Sequence, residues 1–184
     1  MNLQIEKYKK LNEIAIKNGV VIFGEDTDVE IPASELAQSF EFDFPIYNRS
    51  YKNLGINDAI NLYNETIKPL NPEVIFIHIG KNDTLLEMED KINFEQTYIK
   101  LIEHIKETNK KCKVVVVGVN DKLIDQQLKH IADSTKSEYG DIASVKVWSP
   151  QATKSVTSFV QTMGVRRYCK SKPIYDLLKV IFTY

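Results

Sequence analysis

Short apolar runs that alternate with helical patterns constrain the fold of this chain more than any other feature. The clearest runs occupy residues 20–23, 74–79 and 114–117 and are rich in valine and isoleucine. Runs of this length, bounded by polar residues, are typical of strands that are buried on both faces. Because the stretches between them are long enough for helices, the sequence predicts an α/β fold with a parallel sheet covered on both sides.

Weaker patterns complete a predicted sheet of about five strands with the flavodoxin-like order 2-1-3-4-5. The second strand is predicted at residues 45–47 and the fifth at 145–148. We expect one domain over residues 1–184. Ligands of such sheets bind beyond the carboxyl ends of the strands, near strands 1 and 3. The loops to examine are therefore 24–28, 48–58, 80–84, 118–121 and the segment after Trp148.

Apolar residues at helical spacing predict which helix faces pack on the sheet. The stripes are Leu3, Tyr8, Leu11, Ile14 and Ala15; Phe94, Tyr98, Leu101, Ile102 and Ile105; and Leu123, Ile124, Leu128 and Ile131. Asp58 is the predicted cap of a helix that ends at Ile67, and Pro173 is predicted to open a final helix. Helices are also predicted at residues 31–40 and 155–163.

Charge and composition limit the classes of partner that the sequence predicts. The formal net charge of -1 gives no overall field that would recruit nucleic acid or an anionic membrane, although a local basic patch is compatible with it. No run approaches the roughly 18 apolar residues of a membrane span, and no apolar signal core begins the sequence. We therefore expect a cytoplasmic protein with no cofactor and no membrane or nucleic-acid partner. Cys112 and Cys169 lack metal-site spacing and are expected to be free thiols.

The third predicted strand runs into Gly80-Lys81-Asn82-Asp83. An apolar strand followed by G-x-N-D resembles the third conserved block of the SGNH (GDSL-type) hydrolases, a family of esterases and lipases with the predicted fold. The resemblance implies that the Asn82 amide helps to bind the oxyanion of an acyl-transfer intermediate. Alternatively, Asn82 and Asp83 are turn or cap residues.

The first strand ends in Phe23-Gly24-Glu25-Asp26, which resembles the F-G-D-S block of the same family. The resemblance places Asp26 at the position of the nucleophilic serine. A carboxylate there has no hydroxyl proton to give up and would repel a developing oxyanion.

Two stretches compete for the second block, in which the family has a glycine that donates its N–H to the oxyanion. Asn53-Leu54-Gly55 matches it, with Gly55 as the donor. The other register uses Asn48-Arg49-Ser50 and puts Ser50 in place of the glycine. Gly55 is preferred because glycine permits close approach of the backbone to a ligand.

The family's last block is D-x-x-H-P, just before the final helix, and the matching residues are 169–173. In this register Cys169 replaces the aspartate, Lys172 replaces the histidine, and Pro173 is retained. We expect none of the 3 histidines to act as the general base. His104 and His130 are expected on the surface, and His78 is expected to be a core histidine.

Two charged clusters are predicted at the same end of the sheet. Glu25, Asp26 and Asp28 form the acidic one, either a solvated helix N-terminus or, alternatively, a magnesium site. The basic cluster consists of Arg166, Arg167, Lys170 and Lys172. Glu25, Ser50, Arg166 and Arg167 are candidate ligand-binding residues, which suits an anionic small molecule. The alternative is that Arg166, Arg167 or Lys172 forms a salt bridge with the acidic loop.

Three functional hypotheses follow. In the first, the chain is a catalytically degenerate SGNH-like protein that binds a small molecule or a partner. In the second, it is an active ester hydrolase with rewired residues, such as Ser50 or an acid. In the third, the fold is only a scaffold for partner binding.

Overall fold

The computed structural model describes residues 1–39, 42–83, 88–141 and 181. Its centre is a parallel sheet of five strands in the order β2-β1-β3-β4-β5. The strands are β1 Val20–Gly24, β2 Ile46–Asn48, β3 Val74–His78, β4 Lys113–Val117 and β5 Glu138–Gly140. The predicted α/β class and the flavodoxin-like order are confirmed.

Helices cover both faces of this sheet. The described α-helices are α1 Asn2–Glu13, α2 Ala33–Ser39, α3 Ile56–Leu62, α4 Met88–Thr108 and α5 Lys122–Ser134. A 3₁₀ turn, Asp26–Glu30, follows β1. Helix α3 continues through a π-helical turn, Tyr63–Ile67, and a 3₁₀ turn, Lys68–Leu70. No helix within the described ranges is long and apolar enough to cross a bilayer.

The register of the central strands sets the position of the loops. In β1, Val20 lies level with Ile46 of β2 and with Val74 of β3, so Gly24 lies level with His78. The loops that leave β1 and β3 therefore start side by side at one edge of the sheet, which we call the carboxyl edge.

Alternating side chains of the strands form an apolar layer on each face. Phe23 and Ile77 pack on one face with buried residues of α1, α3, α4 and α5. Ile22 and Phe76 pack on the other face with Ala33 of α2 and with Ile181. All five residues of β1 are buried, as predicted for a central strand of a covered sheet.

The predicted stripe of α1 is confirmed for Tyr8, which is buried, and for Ala15, which packs on the core, but it is wrong for Leu3, Leu11 and Ile14. Leu3 and Ile14 are 87% and 83% exposed, whereas Ile5 and Tyr8 are buried. Polar anchors fix the rotation of the helix: the Tyr8 hydroxyl donates to the Ser50 carbonyl (2.9 Å), and the Asn12 amide donates to the Thr66 carbonyl (2.8 Å). The stripe of α4 is confirmed, and that of α5 is confirmed except for Leu123, which is 64% exposed.

Further predictions either differ from the structure or lie outside the described residues. The fifth strand is Glu138–Gly140, a three-residue edge strand too short to produce an apolar run. Residues 145–148 lie outside the described residues, as do the predicted helix at 155–163 and the start at Pro173. Asp58 is an exposed first-turn residue of α3, whose N-cap is Gly55. The predicted helix at 31–40 is observed as Ala33–Ser39.

Candidate functional site

The loops after β1 and β2 continue to pair beyond the strands. The Tyr51 N–H donates to the Gly24 carbonyl (3.0 Å), and the Asp26 N–H donates to the Tyr51 carbonyl (3.1 Å). This pairing carries the segment after β2 past the predicted nucleophile position. The first two predicted blocks therefore lie together at the carboxyl edge.

Glu25 ties the β1 loop to the β3 loop. Its side chain, in a residue only 3% exposed, accepts three backbone N–H groups: Gly80 (3.1 Å) and Lys81 (2.5 Å) at Oε1, and Asn82 (3.1 Å) at Oε2. Burial raises the pKa of Glu25 to about 7, against the opposing effect of the Lys81 and Asn82 N–H donors. Gly80 has φ +141°, a conformation that residues with a Cβ rarely adopt, so the glycine of the G-x-N-D motif is required by the turn.

Asp26 occupies a strained backbone position. Its φ is 45°, in the left-handed region, which aspartate tolerates better than most residues. Its Oδ1 accepts the N–H of Asn53 (2.8 Å), the residue that begins the predicted second block. The predicted nucleophile position therefore carries a half-buried acceptor that is bonded to the neighbouring loop.

Asn82 and Asp83 hold the start of α3. The Asn82 Nδ2 donates to the Leu54 carbonyl (3.1 Å), and Asp83 Oδ2 accepts the Ile56 N–H (3.2 Å). Asp83 is buried, and burial raises its pKa. Asn82 thus bonds the peptide unit that contains the Gly55 nitrogen, so the structure brings Gly55 and Asn82 together as the resemblance implies.

Gly55 itself is not in a conformation that demands glycine. Its φ is -106°, and a Cβ built on it would lie 3.4 Å from Asp83 Oδ1. The close backbone approach expected at this position is therefore not forced by the residues around it.

Ser50 lies inside the protein. It is fully buried, and its hydroxyl accepts the N–H of Gly24 (3.0 Å) at the end of β1. The preceding residue, Arg49, is also buried, between the rings of Tyr8 and Tyr47, and its guanidinium donates to Asn12 Oδ1 (2.7 Å). Both side chains support the ends of β1 and β2.

Sequence reasoning missed the pairing of His78 with Asp28. His78 Nδ1 lies 2.6 Å from Asp28 Oδ2 across 50 residues of sequence. A Cβ built on Gly24 would lie 1.9 Å from the same carboxylate oxygen, so Gly24 leaves room for it. The alternation of side chains along a strand could have indicated the position of His78. Because residues two apart share a sheet face, His78 lies on the face of Val74 and Phe76, at the carboxyl edge.

The other histidines lie away from this edge. His130 is exposed, as predicted, and lies 3.4 Å from Glu95. His104 was also expected on the surface, but it is half-buried and bonds to Asn64 Oδ1 (2.8 Å).

The described part of the carboxyl edge is acidic. Glu25, Asp26, Asp28 and Asp83 all lie there, although each has a hydrogen-bonding partner. Over the described ranges, no group of three or more histidine, cysteine, aspartate or glutamate side chains could hold a metal ion. Arg166, Arg167, Cys169 and Lys172 lie outside the described residues. The salt bridge from Arg166, Arg167 or Lys172 to the acidic loop therefore stays a prediction.

Comparison with known proteins identifies the fold. No protein-family model matches the chain, and no curated protein matches it. Among solved structures, the chain is similar to a candidate GDSL-like lipase from Parabacteroides merdae, with 14% identity, a TM-score of 0.55, and coverage of 91% of this chain and 95% of that one. A candidate acylhydrolase from Bacteroides fragilis has 14% identity and a TM-score of 0.61, with 90% and 97% covered.

A third similar structure is a carbohydrate esterase whose active site is described as having divergent catalytic and non-catalytic binding functions. It has 12% identity and a TM-score of 0.57, with 89% of this chain and 72% of that one covered. Identities this low support a shared fold and no more. The chain therefore has the fold of the SGNH (GDSL-type) hydrolases.

Proposed function

We propose that this chain is a catalytically inactive protein of the SGNH fold that binds a ligand at the carboxyl edge of its sheet. The observation that carries the proposal is Asp26. At the position where the resemblance requires a serine hydroxyl, it presents a carboxylate that accepts the Asn53 N–H at 2.8 Å.

Acyl transfer by this family's chemistry needs a nucleophile, a base and donors for the oxyanion. Asp26 supplies no hydroxyl, and one of the two N–H groups of the Asn82 amide is bonded to the Leu54 carbonyl. The carboxyl groups of Glu25, Asp28 and Asp83 lie at the same edge and add negative charge there when they are ionised. Such an edge disfavours an oxyanion transition state.

Binding without turnover suits the same residues. The loops are fixed by the bonds of Glu25 and Asp83, so a ligand need not order them. Asp26 and Asn82 offer carboxylate and amide groups, which bind hydroxyl-rich molecules such as sugars. The similar carbohydrate esterase with non-catalytic binding functions supports this choice of ligand class.

Hydrolysis of nitrophenyl acetate tests the inactive part of the proposal. We expect the purified protein to release no nitrophenol above the buffer rate, and the Asp26→Ser variant to do the same, because the resemblance places Lys172, and no histidine, at the position of the general base. An active GDSL-type esterase serves as the positive control. Turnover that depends on Asp26 would overturn the proposal.

Nuclear magnetic resonance titration tests the binding part. With acetylated xylo-oligosaccharides as the probe, we expect shifts of the backbone amides of Asn53 and of residues 80–82, and none in α5. Asp26→Ala should weaken these shifts. If neither turnover nor shifts occur, the hypothesis of a scaffold that binds only partners is favoured.

The His78–Asp28 pair supports a second candidate, a hydrolase with rewired residues. An imidazole held by a carboxylate at 2.6 Å is the base part of a catalytic triad, and it would activate a water molecule in place of a serine. On this hypothesis the wild-type protein hydrolyses nitrophenyl acetate, His78→Gln abolishes the reaction, and His130→Gln leaves it unchanged.

A further inference from the structure

In the part of the chain that the structure describes, exposed apolar side chains are concentrated at one place. Within the described ranges, the large hydrophobic residues that are exposed are Met1, Leu3, Leu11, Ile14, Ile16 and, elsewhere, Leu123. All but Leu123 thus belong to α1 and the residues that flank it. A concentration of exposed apolar side chains of this kind marks an interaction surface, whereas a single residue such as Leu123 is ordinary.

Helical spacing shows how this patch is oriented. Leu3, Lys7, Lys10 and Ile14 follow one another at intervals of four, three and four residues, which places them on one face of α1. The opposite face carries the buried residues Ile5 and Tyr8. Leu3 and Ile14 therefore point away from the core, with lysines between them.

Basic side chains surround the apolar ones. A surface groove of about 870 Å³ runs along α1, and its lining includes Lys7, Lys10 and Lys52 together with Leu3 and Leu11. Glu6 is the acidic residue of that lining, and Lys9 pairs with it (3.3 Å) and with Glu65 (2.6 Å). Within the described parts of the chain, Lys7, Lys10 and Lys52 form no ion pair, so their charges face the surroundings of the patch.

We propose that this α1 face, formed by Met1, Leu3, Lys7, Lys10, Leu11 and Ile14, binds the surface of an anionic phospholipid membrane. The apolar side chains enter the boundary between headgroups and acyl chains, and the lysines contact the anionic headgroups. The helix lies on the bilayer and does not cross it.

Charge and shape favour this occupant over the alternatives. A second copy of the chain packed by a two-fold axis would bring lysines against lysines. An acidic protein partner would need cavities of its own that fit the side chains projecting from α1. A lipid layer deforms around such side chains and carries the complementary charge.

The proposed membrane-binding face is a small part of the surface. It is therefore compatible with the reasons for which no membrane partner was expected. That expectation rested on the formal net charge of -1 and on the lack of a spanning segment. Residues 1–17, by contrast, contain four lysines and two glutamates. Attraction to a charged surface falls off within about 10 Å. The local excess of lysines therefore determines binding to such a surface, and distant acidic residues contribute little.

Cosedimentation with vesicles tests the proposal. The full chain is mixed with vesicles of phosphatidylserine and phosphatidylcholine, or of phosphatidylcholine alone, at low and high salt. We expect binding to the anionic vesicles that weakens as salt rises. Lys7→Gln with Lys10→Gln should lower the partition coefficient by about 30-fold, since each lysine contributes about fivefold. Leu3→Ser with Ile14→Ser should lower it by about tenfold or more.

Matched controls come from α5, where Leu123→Ser, and Lys122→Gln with Lys129→Gln, should leave binding unchanged. Because all these positions are exposed, the variants should fold, which circular dichroism checks. Absence of binding to anionic vesicles would overturn the proposal, as would equal losses in the α1 and α5 variants. A dimer in sedimentation velocity that Leu3→Ser with Ile14→Ser converts to a monomer would also overturn it, in favour of self-association.

Discussion

The loops after β1 and β3 start side by side, yet they differ in how closely they follow the SGNH pattern. The β3 loop keeps Gly80, Asn82 and Asp83. The β1 loop keeps Gly24 but has Glu25 and Asp26 where the pattern has aspartate and serine.

The difference teaches what each retained residue does for the fold. Gly80 makes a turn at φ +141°, and Asn82 and Asp83 bond the start of α3. Glu25 keeps the acceptor role of an acid by binding three backbone N–H groups. The Asp26 side chain, in contrast, accepts an exposed hydrogen bond from the Asn53 N–H. The positions with structural roles keep the pattern or an equivalent, while the position that the resemblance assigns to the nucleophile departs from it.

The largest expected effect comes from Glu25→Ala. Removal of the carboxylate leaves the N–H groups of Gly80, Lys81 and Asn82 without their acceptor, two of them partly and one fully buried. We expect the free energy of unfolding to fall by about 4 kcal/mol, since a buried group left unsatisfied costs about 1–3 kcal/mol. Urea denaturation at pH 6 measures it.

The comparison behind this prediction is between Glu25 and Asp26. Asp26→Ala should lose no more than about 1 kcal/mol, the usual contribution of one hydrogen bond. Equal losses in the two variants would show that Glu25 is not the tether between the loops.

The second prediction concerns pH. The fold raises the pKa of Glu25 from 4.5 to about 7, because burial disfavours the charged form. Its stabilising contribution is therefore complete below pH 4.5 and is lost as the pH rises through 7. The loss is about 3 kcal/mol, from about 1.4 kcal/mol for each unit of pKa.

Glu25→Gln separates this effect from other titrations. Glutamine keeps an acceptor oxygen but does not ionise, so the fall in stability between acidic and mildly alkaline pH should be smaller in the variant by about 3 kcal/mol. Denaturation curves at both pH values measure it. Identical pH dependence in the two proteins would contradict the assignment.

The third prediction contrasts two acids near the start of α3. Asp83→Ala should destabilise the protein by about 2 kcal/mol, because the buried Ile56 N–H loses its acceptor. Asp58→Ala should cost less than about 0.5 kcal/mol, because Asp58 is exposed. Thermal unfolding of the two variants distinguishes them, and the opposite order would restore Asp58 as the cap.

Most of the fold follows from the sequence because buried parallel strands have a strong signature. The runs at residues 20–23 and 114–117 are continuously apolar, and the run at 74–79 is apolar apart from His78. Their alternation with helices predicts the strand order. The short edge strand β5 lacks this signature. The face of α1 was mispredicted because hydrophobic spacing assumes that apolar residues are buried, and Leu3 and Ile14 are exposed.

The sequence predicts where the site residues lie better than it predicts which residues they bond to. The resemblance and the strand order place Asp26, Gly55 and Asn82 at one edge, where the structure has them. The bonds of Glu25 to the β3 loop and of His78 to Asp28 join residues 50 or more positions apart. Such pairs depend on strand register and loop path, which a single sequence does not specify.

The smallest expected effect concerns Asp26, the residue at which the β1 loop departs from the serine of the SGNH pattern. Its φ of 45° favours asparagine, aspartate and glycine over serine. Asp26→Asn keeps an acceptor for the Asn53 N–H and should change the free energy of unfolding by less than about 0.5 kcal/mol. Asp26→Ser has a shorter side chain and a less favourable conformation, and should lose about 1 kcal/mol. Restoring the family's serine would thus cost stability without restoring hydrolysis. Urea denaturation of both variants, beside the ester assay, checks this, and a serine variant as stable as the asparagine one would show that the β1 loop still accommodates a nucleophile.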